Sequence, residues 1–114
     1  GDLTFDKMNE EWGLEFMGWS NGCVYADLDN DGDLEIVINN IDDKAAIFEN
    51  FSSEHNNFIS LNFDGPEKNR SGLGVKAYIT SNEITQFQEM TLTRGFQSSV
   101  APQLHFGIGS ANNP

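Results

Sequence analysis

Residues 27–35 place an acidic side chain at every second position, and this run constrains the chain more than any other feature. The acids are Asp27, Asp29, Asp31, Asp33 and Glu35. So many negative charges in a short segment repel one another unless water or a hard dication screens them. The run is therefore expected to form a loop whose carboxylates face solvent or a bound cation.

The spacing of these acids fits a calcium loop. Calcium takes about six to eight oxygen ligands in irregular geometry, so Asp27, Asp29 and Asp31 suit the first, third and fifth positions. Gly32 can adopt the dihedral angles that turn the loop back, Asp33 is expected to offer its backbone carbonyl, and Glu35 closes the shell. We predict Ca²⁺ at all five acids, because magnesium needs stricter geometry and soft metals favour His or Cys. The alternative is an acidic, solvated turn without metal.

The sequence around the loop excludes an EF-hand. An EF-hand needs a carboxylate at its twelfth position, which is Ile38 here. The flanking residues, 23–26 and 36–38, are rich in side chains that favour strands. The loop is therefore expected to join two strands.

The rest of the chain predicts an all-β fold. Short apolar segments bounded by turn residues are candidate strands at 23–26, 35–39, 45–50, 58–63, 75–80, 85–92 and 103–107. Apolar residues alternate in 59–63 and 75–79, so these two segments are expected to share a core. The alternation slips between Phe87 and Met90, which predicts a β-bulge near residues 88–89. Residues 81–83 read as a hairpin turn in which Asn82 takes a positive φ, and residues 5–14 are ambiguous between helix and loop.

The charge is concentrated in the first half. The chain carries a formal net charge of −12, of which residues 1–51 hold −11. This field excludes nucleic acid and anionic membrane surfaces as partners, because the chain offers no basic patch. No apolar run is long enough to span a membrane, and Cys23, which has no second cysteine to pair with, is expected to be a small buried hydrophobe.

No set of residues predicts catalysis, so we do not expect an enzyme. His55 and His105 have no acid or nucleophile near them in sequence, and Ser98 and Ser99 lack the nucleophile-elbow motif. The aromatic residues Trp12, Phe16, Trp19 and Phe96 are expected to pack in a core. The alternative is an aromatic platform for sugars.

The acidic loop and its flanks resemble the FG-GAP or VCBS repeats, in which a D-x-D-x-D-G-x-x-D/E loop joins two strands of a β-propeller blade. Glu35 stands where Asp is usual, and the matching context runs from residues 18–22 to residues 47–50. The resemblance implies that residues 1–52 form one partial propeller blade, with residues 1–14 ending a preceding repeat.

From residue 57 onward the chain is similar to the ASPIC/UnbV domain. The residues that carry this resemblance lie at 57–61, 69–75, 95–99 and 104–109. It implies a small antiparallel β-sandwich or barrel-like domain at residues 57–114, with a further strand of the family pattern expected beyond Pro114.

The two resemblances together imply a calcium-binding, non-catalytic module of a secreted or cell-surface protein. Its expected role is adhesion or recognition of a protein or glycan partner, alongside the rest of a larger propeller. The alternative is a carbohydrate-binding accessory module of a surface polysaccharide system. Its expected location is extracellular or at the cell surface, with the bacterial periplasm as a further possibility.

Overall fold

The computed structural model describes residues 4–110, and within this range the fold is all-β, as predicted. Seven strands run β1 (Ser20–Ala26), β2 (Glu35–Asn40), β3 (Ala46–Phe48), β4 (Asn57–Asn62), β5 (Lys76–Ser81), β6 (Ile84–Glu89) and β7 (Gln103–Gly109). Two single-turn 3₁₀ helices, η1 (Ser52–Glu54) and η2 (Glu67–Asn69), lie between strands. No helix among residues 4–110 is long and apolar enough to cross a membrane.

The first three strands form one antiparallel sheet in the order β1-β2-β3. Ala26 pairs with Glu35 at the loop end of the β1–β2 hairpin, and Ile36 pairs with Phe48 on the other side. The acidic run therefore connects two hydrogen-bonded neighbours, as the sequence predicts. This hairpin fixes both ends of the loop.

The remaining strands form two antiparallel pairs, β4 with β7 and β5 with β6. Their core consists of Met90, Leu104 and Phe106, each at most 1% exposed. The side chains packed against it are Leu61, Phe63, Ala77, Ile79 and Leu92. The prediction that the two alternating segments share a core is thus confirmed, although Val75 is 38% exposed and lies outside it.

The predicted β-bulge at residues 88–89 is wrong. The β5–β6 register runs without a shift from Ser81–Ile84 to Lys76–Glu89. Phe87 faces outward, where its ring lies 4.9 Å from that of Tyr78. Alternation along β6 is unbroken, because the inward side chains are those of Gln86, Gln88 and Met90.

The inward glutamines connect the two strand pairs. The Gln86 side-chain amide donates to the carbonyl of Gly107 at 2.7 Å, and that of Gln88 donates to the carbonyl of His105 at 2.6 Å. A side-chain amide that is partly buried needs a hydrogen-bond acceptor within the protein. Side chains of β6 thus take the place of a backbone ladder to β7.

The turn prediction is confirmed, and its neighbour also adopts a left-handed conformation. Asn82 has φ 49° and Glu83 has φ 64°. Positive φ at both central residues is the geometry of a two-residue type I′ hairpin. Residues 9–13 form a turn instead of the possible helix.

Two burial predictions are wrong. Cys23 is exposed, as is Tyr25 two positions further along β1. Trp12, Trp19 and Phe96 are 67%, 80% and 65% exposed, and Phe16 is 41% exposed with its ring edge on Phe48. These aromatics flank strands β1–β3 and the segment after β6, away from the Met90–Phe106 core.

The predicted domain division at residues 52 and 57 stays a prediction. The β1–β3 sheet lies before residue 52 and the other strands begin at Asn57. The outer ends of the two predicted domains, residues 1–3 and 111–114, lie outside the described residues.

Candidate metal site

The acidic loop folds back on itself through local hydrogen bonds. The Asp31 amide donates to Asp29 Oδ1 at 3.3 Å, and the Asp33 amide donates to Asp31 Oδ1 at 3.0 Å. Aspartate favours such turns because its side chain accepts from the backbone two residues on. Asn30 and Gly32 both have positive φ, at 63° and 95°. The loop is therefore a tight coil that turns its carboxylates together.

All five predicted acids are brought together. Oxygens of Asp27, Asp29 and Glu35 lie within 4.8 Å of one another, and so do oxygens of Asp31, Asp33 and Glu35. Glu35 belongs to both groups because it opens β2, directly opposite the end of β1. The hairpin register thus creates the cluster that the spacing predicts.

Two acids of the cluster are buried, whereas Asp29 and Asp31 are exposed. Asp33 and Glu35 are each only 4% exposed. Asp27 Oδ1, Asp33 Oδ1 and Glu35 Oε1 are buried without a hydrogen-bond partner. A buried, unpartnered carboxylate oxygen is costly, and buried charges are normally paired or bind metals. These oxygens are hard donors of the kind that suit calcium, so the residues fit that ion.

The cluster is held in part by hydrogen bonds to its other oxygens. The Leu28 amide donates to Glu35 Oε2 at 2.7 Å. The Ser53 amide donates to Asp33 Oδ2 at 2.8 Å, and the Ser53 hydroxyl donates to Asp31 Oδ2 at 2.6 Å. Donation from Ser53, followed by donation from the Asp33 amide, lowers the pKa of Asp31. These bonds fix the carboxylates while leaving one oxygen free on each of Asp33 and Glu35.

Ser53 is a site residue that sequence reasoning missed. It lies 20 residues from Asp33 in a polar segment that reads only as a linker. The signal that was available is the dense run of Ser and Asn after β3, since such residues bond to carboxylates and turns. The separation in sequence hides the contact.

The loop also touches the β4–β7 pair. A Cβ built on Gly32 would overlap the Phe58 ring, so this ring lies directly on the glycine. The Phe58 ring stacks on His105 of β7 with centroids 5.1 Å apart and planes 14° apart. Burial lowers the pKa of His105, while the charges of Asp27 and Asp33 act in the opposite direction. His105 has no acid near it in the sequence, but the fold brings Asp27 and Asp33 near it in space.

A small cleft lies between the loop and β7. Its volume is about 170 Å³, and its walls include Asp27 and Asn30 on one side and Gln103 and His105 on the other. Gln103 is held by donation to the Ser60 hydroxyl at 2.7 Å. Of the five acids, Asp27 lines this cleft, on the wall opposite His105.

Similarity to a known family is found in the part of the chain after the loop. No curated protein and no solved structure matches the chain. A family model described as ASPIC and UnbV matches residues 65–114, a segment that includes β5, β6 and β7. This match supports the second of the two resemblances, and the C-terminal part of the chain is similar to the ASPIC and UnbV family.

Proposed function

We propose that residues 27–35 bind Ca²⁺ and that the chain is a non-catalytic, calcium-binding module of a secreted or cell-surface protein. The observation that carries the proposal is the pair Asp33 and Glu35. Each side chain is 4% exposed, belongs to a group of converging acids and keeps one oxygen without a partner. A bound dication would satisfy these oxygens and neutralise the repulsion among the acids.

The strand context supports an FG-GAP or VCBS type of repeat. The loop joins neighbouring antiparallel strands, and β3 extends the same sheet. This is the arrangement that the resemblance implies for part of a propeller blade. Calcium there would be structural, tying the end of β1 to the start of β2.

The expected energetic contribution is modest. Extracellular calcium modules have dissociation constants of about 0.1–1 mM, and extracellular free calcium is about 1 mM. Binding then adds on the order of 0.4–1.4 kcal/mol to stability. For a chain this small, such an increment is a sizeable fraction of the free energy of unfolding.

Calcium titration followed by calorimetry and thermal unfolding tests the site. We expect a calcium-dependent rise in melting temperature that Asp29→Ala and Asp31→Ala each remove. Asp33→Ala should remove it only in part if the backbone carbonyl of Asp33 is the ligand, and wholly if the unpartnered Oδ1 of Asp33 is the ligand. Asp64→Ala, an exposed acid outside the cluster, is the matched control. A wild-type protein that neither binds calcium nor gains stability from it would contradict the proposal.

The role proposed for the module is adhesion or recognition of a protein or glycan. Its support is the resemblance of both parts of the chain to repeats and domains of surface proteins. Protease treatment of intact source cells tests the location. An exposed surface protein is digested, whereas one enclosed by the cell envelope is protected.

Carbohydrate binding is the second candidate function. The observation that favours it is the exposure of Trp19 and Phe96, at 80% and 65%, because aromatic faces stack on sugar rings. Binding on a glycan array that Trp19→Ala or Phe96→Ala abolishes, without unfolding the protein, would support it. An array without signal would remove it.

A further inference from the structure

We infer that Ser53, in the linker of residues 51–56, and Phe58 of strand β4 belong to the metal site, so that cation binding in the loop holds the β4–β7 pair against the β1–β2 hairpin. This inference rests on the proposed calcium function. It adds a second consequence of binding, namely control of a contact between segments that are distant in sequence.

Ser53 contacts the acid cluster through two hydrogen bonds. Its amide and its hydroxyl donate to two different acids of the cluster, Asp33 at 2.8 Å and Asp31 at 2.6 Å. Ser53 lies in η1, and the neighbouring Asn50 side chain donates to the carbonyl of Leu34 at 3.3 Å. The linker and the residue before it are therefore hydrogen-bonded both to carboxylates and to a backbone carbonyl of the loop.

The second step is the contact made by Phe58. This residue is the second of β4, only five positions after Ser53, and its ring lies against Gly32 of the loop. The same ring stacks on His105 of β7. Phe58 therefore connects the loop backbone at Gly32 to the β4–β7 pair.

The third step is electrostatic. Without a cation, Asp31 and Asp33 repel the other acids and are restrained chiefly by donors from Ser53 and the loop backbone. A bound dication removes that repulsion and keeps both carboxylates oriented towards Ser53. If the ion binds the docked form more tightly than the undocked form, docking and binding favour each other by the same factor.

Two further hydrogen bonds join the β1–β2 hairpin to the segment after β6, and neither involves an acid. Arg94 Nε donates to the Tyr25 hydroxyl at 2.8 Å, and the Cys23 amide donates to Ser98 Oγ at 3.3 Å. These bonds join Tyr25 and Cys23 of β1 to the segment after β6, and neither involves Ser53 or Phe58. They maintain an association without metal, so removal of the ion is expected to loosen the linker contact without unfolding the chain.

Two measurements on the full chain test the inference, with Ca²⁺ as the probe. In wild type, hydrogen exchange of the Ser53 amide should slow about tenfold when free calcium is ten times Kd, because opening the linker would destroy the site. Amides of the β5–β6 hairpin, which does not touch the loop, serve as the internal reference.

The matched variants are Ser53→Ala and Ser52→Ala. Ser53→Ala removes the hydroxyl donor to Asp31 and should weaken calcium affinity about tenfold, as loss of a group that orients a metal ligand typically does. Ser52 is exposed, and its substitution should leave the affinity unchanged. Phe58→Ala should reduce the calcium-dependent protection of β4 and β7 amides.

The outcomes separate the two proposals. Calcium binding with an unchanged Ser53 exchange rate, together with equal affinities for the two serine variants, would overturn this inference and leave the calcium function standing. Absence of calcium binding by wild type would overturn both. Slowed exchange and a selective loss in Ser53→Ala would support the inference.

Discussion

Glu35→Gln tests the physical basis of the site most directly, because it removes one charge and keeps nearly the same shape. The Glu35 side chain is 4% exposed, and its carboxylate lies within 4.8 Å of that of Asp33, which is equally buried. At an effective dielectric constant of about 20, two like charges at that distance repel by about 3 kcal/mol. Without metal, the substitution relieves this repulsion.

Part of that gain is lost through a weaker hydrogen bond. The Leu28 amide donates to Glu35 Oε2 at 2.7 Å, and a neutral acceptor weakens such a bond by about 1 kcal/mol. The variant should therefore be about 2 kcal/mol more stable than wild type in chelator. At roughly 4 °C per kcal/mol for a chain of this size, its melting temperature should rise by about 8 °C.

Calcium should remove most of the variant's advantage or reverse it. With a Kd of about 0.1–1 mM, 10 mM calcium (about tenfold to a hundredfold excess) stabilises wild type by about 1.4–2.7 kcal/mol, whereas the variant lacks the shared ligand and gains little. Circular dichroism melts in chelator and in calcium measure both effects. Glu49→Gln, an exposed acid beyond β3, is the charge-matched control. A variant that is less stable than wild type in chelator, with an unchanged control, would refute the assignment of Glu35 to a repulsive metal cluster.

Three further predictions concern pH, the core and the hairpin turn. In chelator, Ser53→Ala should destabilise the protein at neutral pH, because the hydrogen bond from Ser53 lowers the pKa of Asp31 and so stabilises the folded state while the carboxylate is ionised. Acid denaturation curves should show this difference in stability fade as pH falls through the folded pKa of Asp31. Phe106→Ala should cost about 3–5 kcal/mol in urea unfolding because the ring is fully buried, whereas outward-facing Phe87→Ala should cost about 1 kcal/mol; similar costs would contradict the assigned faces. Glu83→Gly should raise the free energy of unfolding by about 0.5–1 kcal/mol, because glycine accepts φ 64° without strain; a loss of stability would contradict the type I′ turn.

The local features of the fold were predictable from the sequence, and the contacts between distant segments were not. Period-two alternation located the strands around Leu61 and Ala77, and the single Asn82 between two apolar segments located the turn. The β-bulge was mispredicted because Phe87 was assumed to face inward. Hydrophobicity does not reveal that two glutamines face β7 and that an aromatic ring faces solvent.

The candidate site shows the same division. Regular acid spacing was enough to predict that five carboxylates would meet, because the loop and hairpin are local. Ser53 and His105 approach the cluster only through the packing of β4 and β7 beside the loop. Their participation depends on long-range geometry, which one sequence without homologues does not encode in any readable pattern.

The glutamine bonds between β6 and β7 have a consequence for solubility. An unpaired strand border is a template on which other copies can add their own strands and grow aggregates. Here the carbonyls of His105 and Gly107 are already occupied by the side chains of Gln88 and Gln86. The two glutamine side chains also occupy the space in which the backbone of an incoming strand would have to lie. The chain thereby protects an aggregation-prone border without an additional strand.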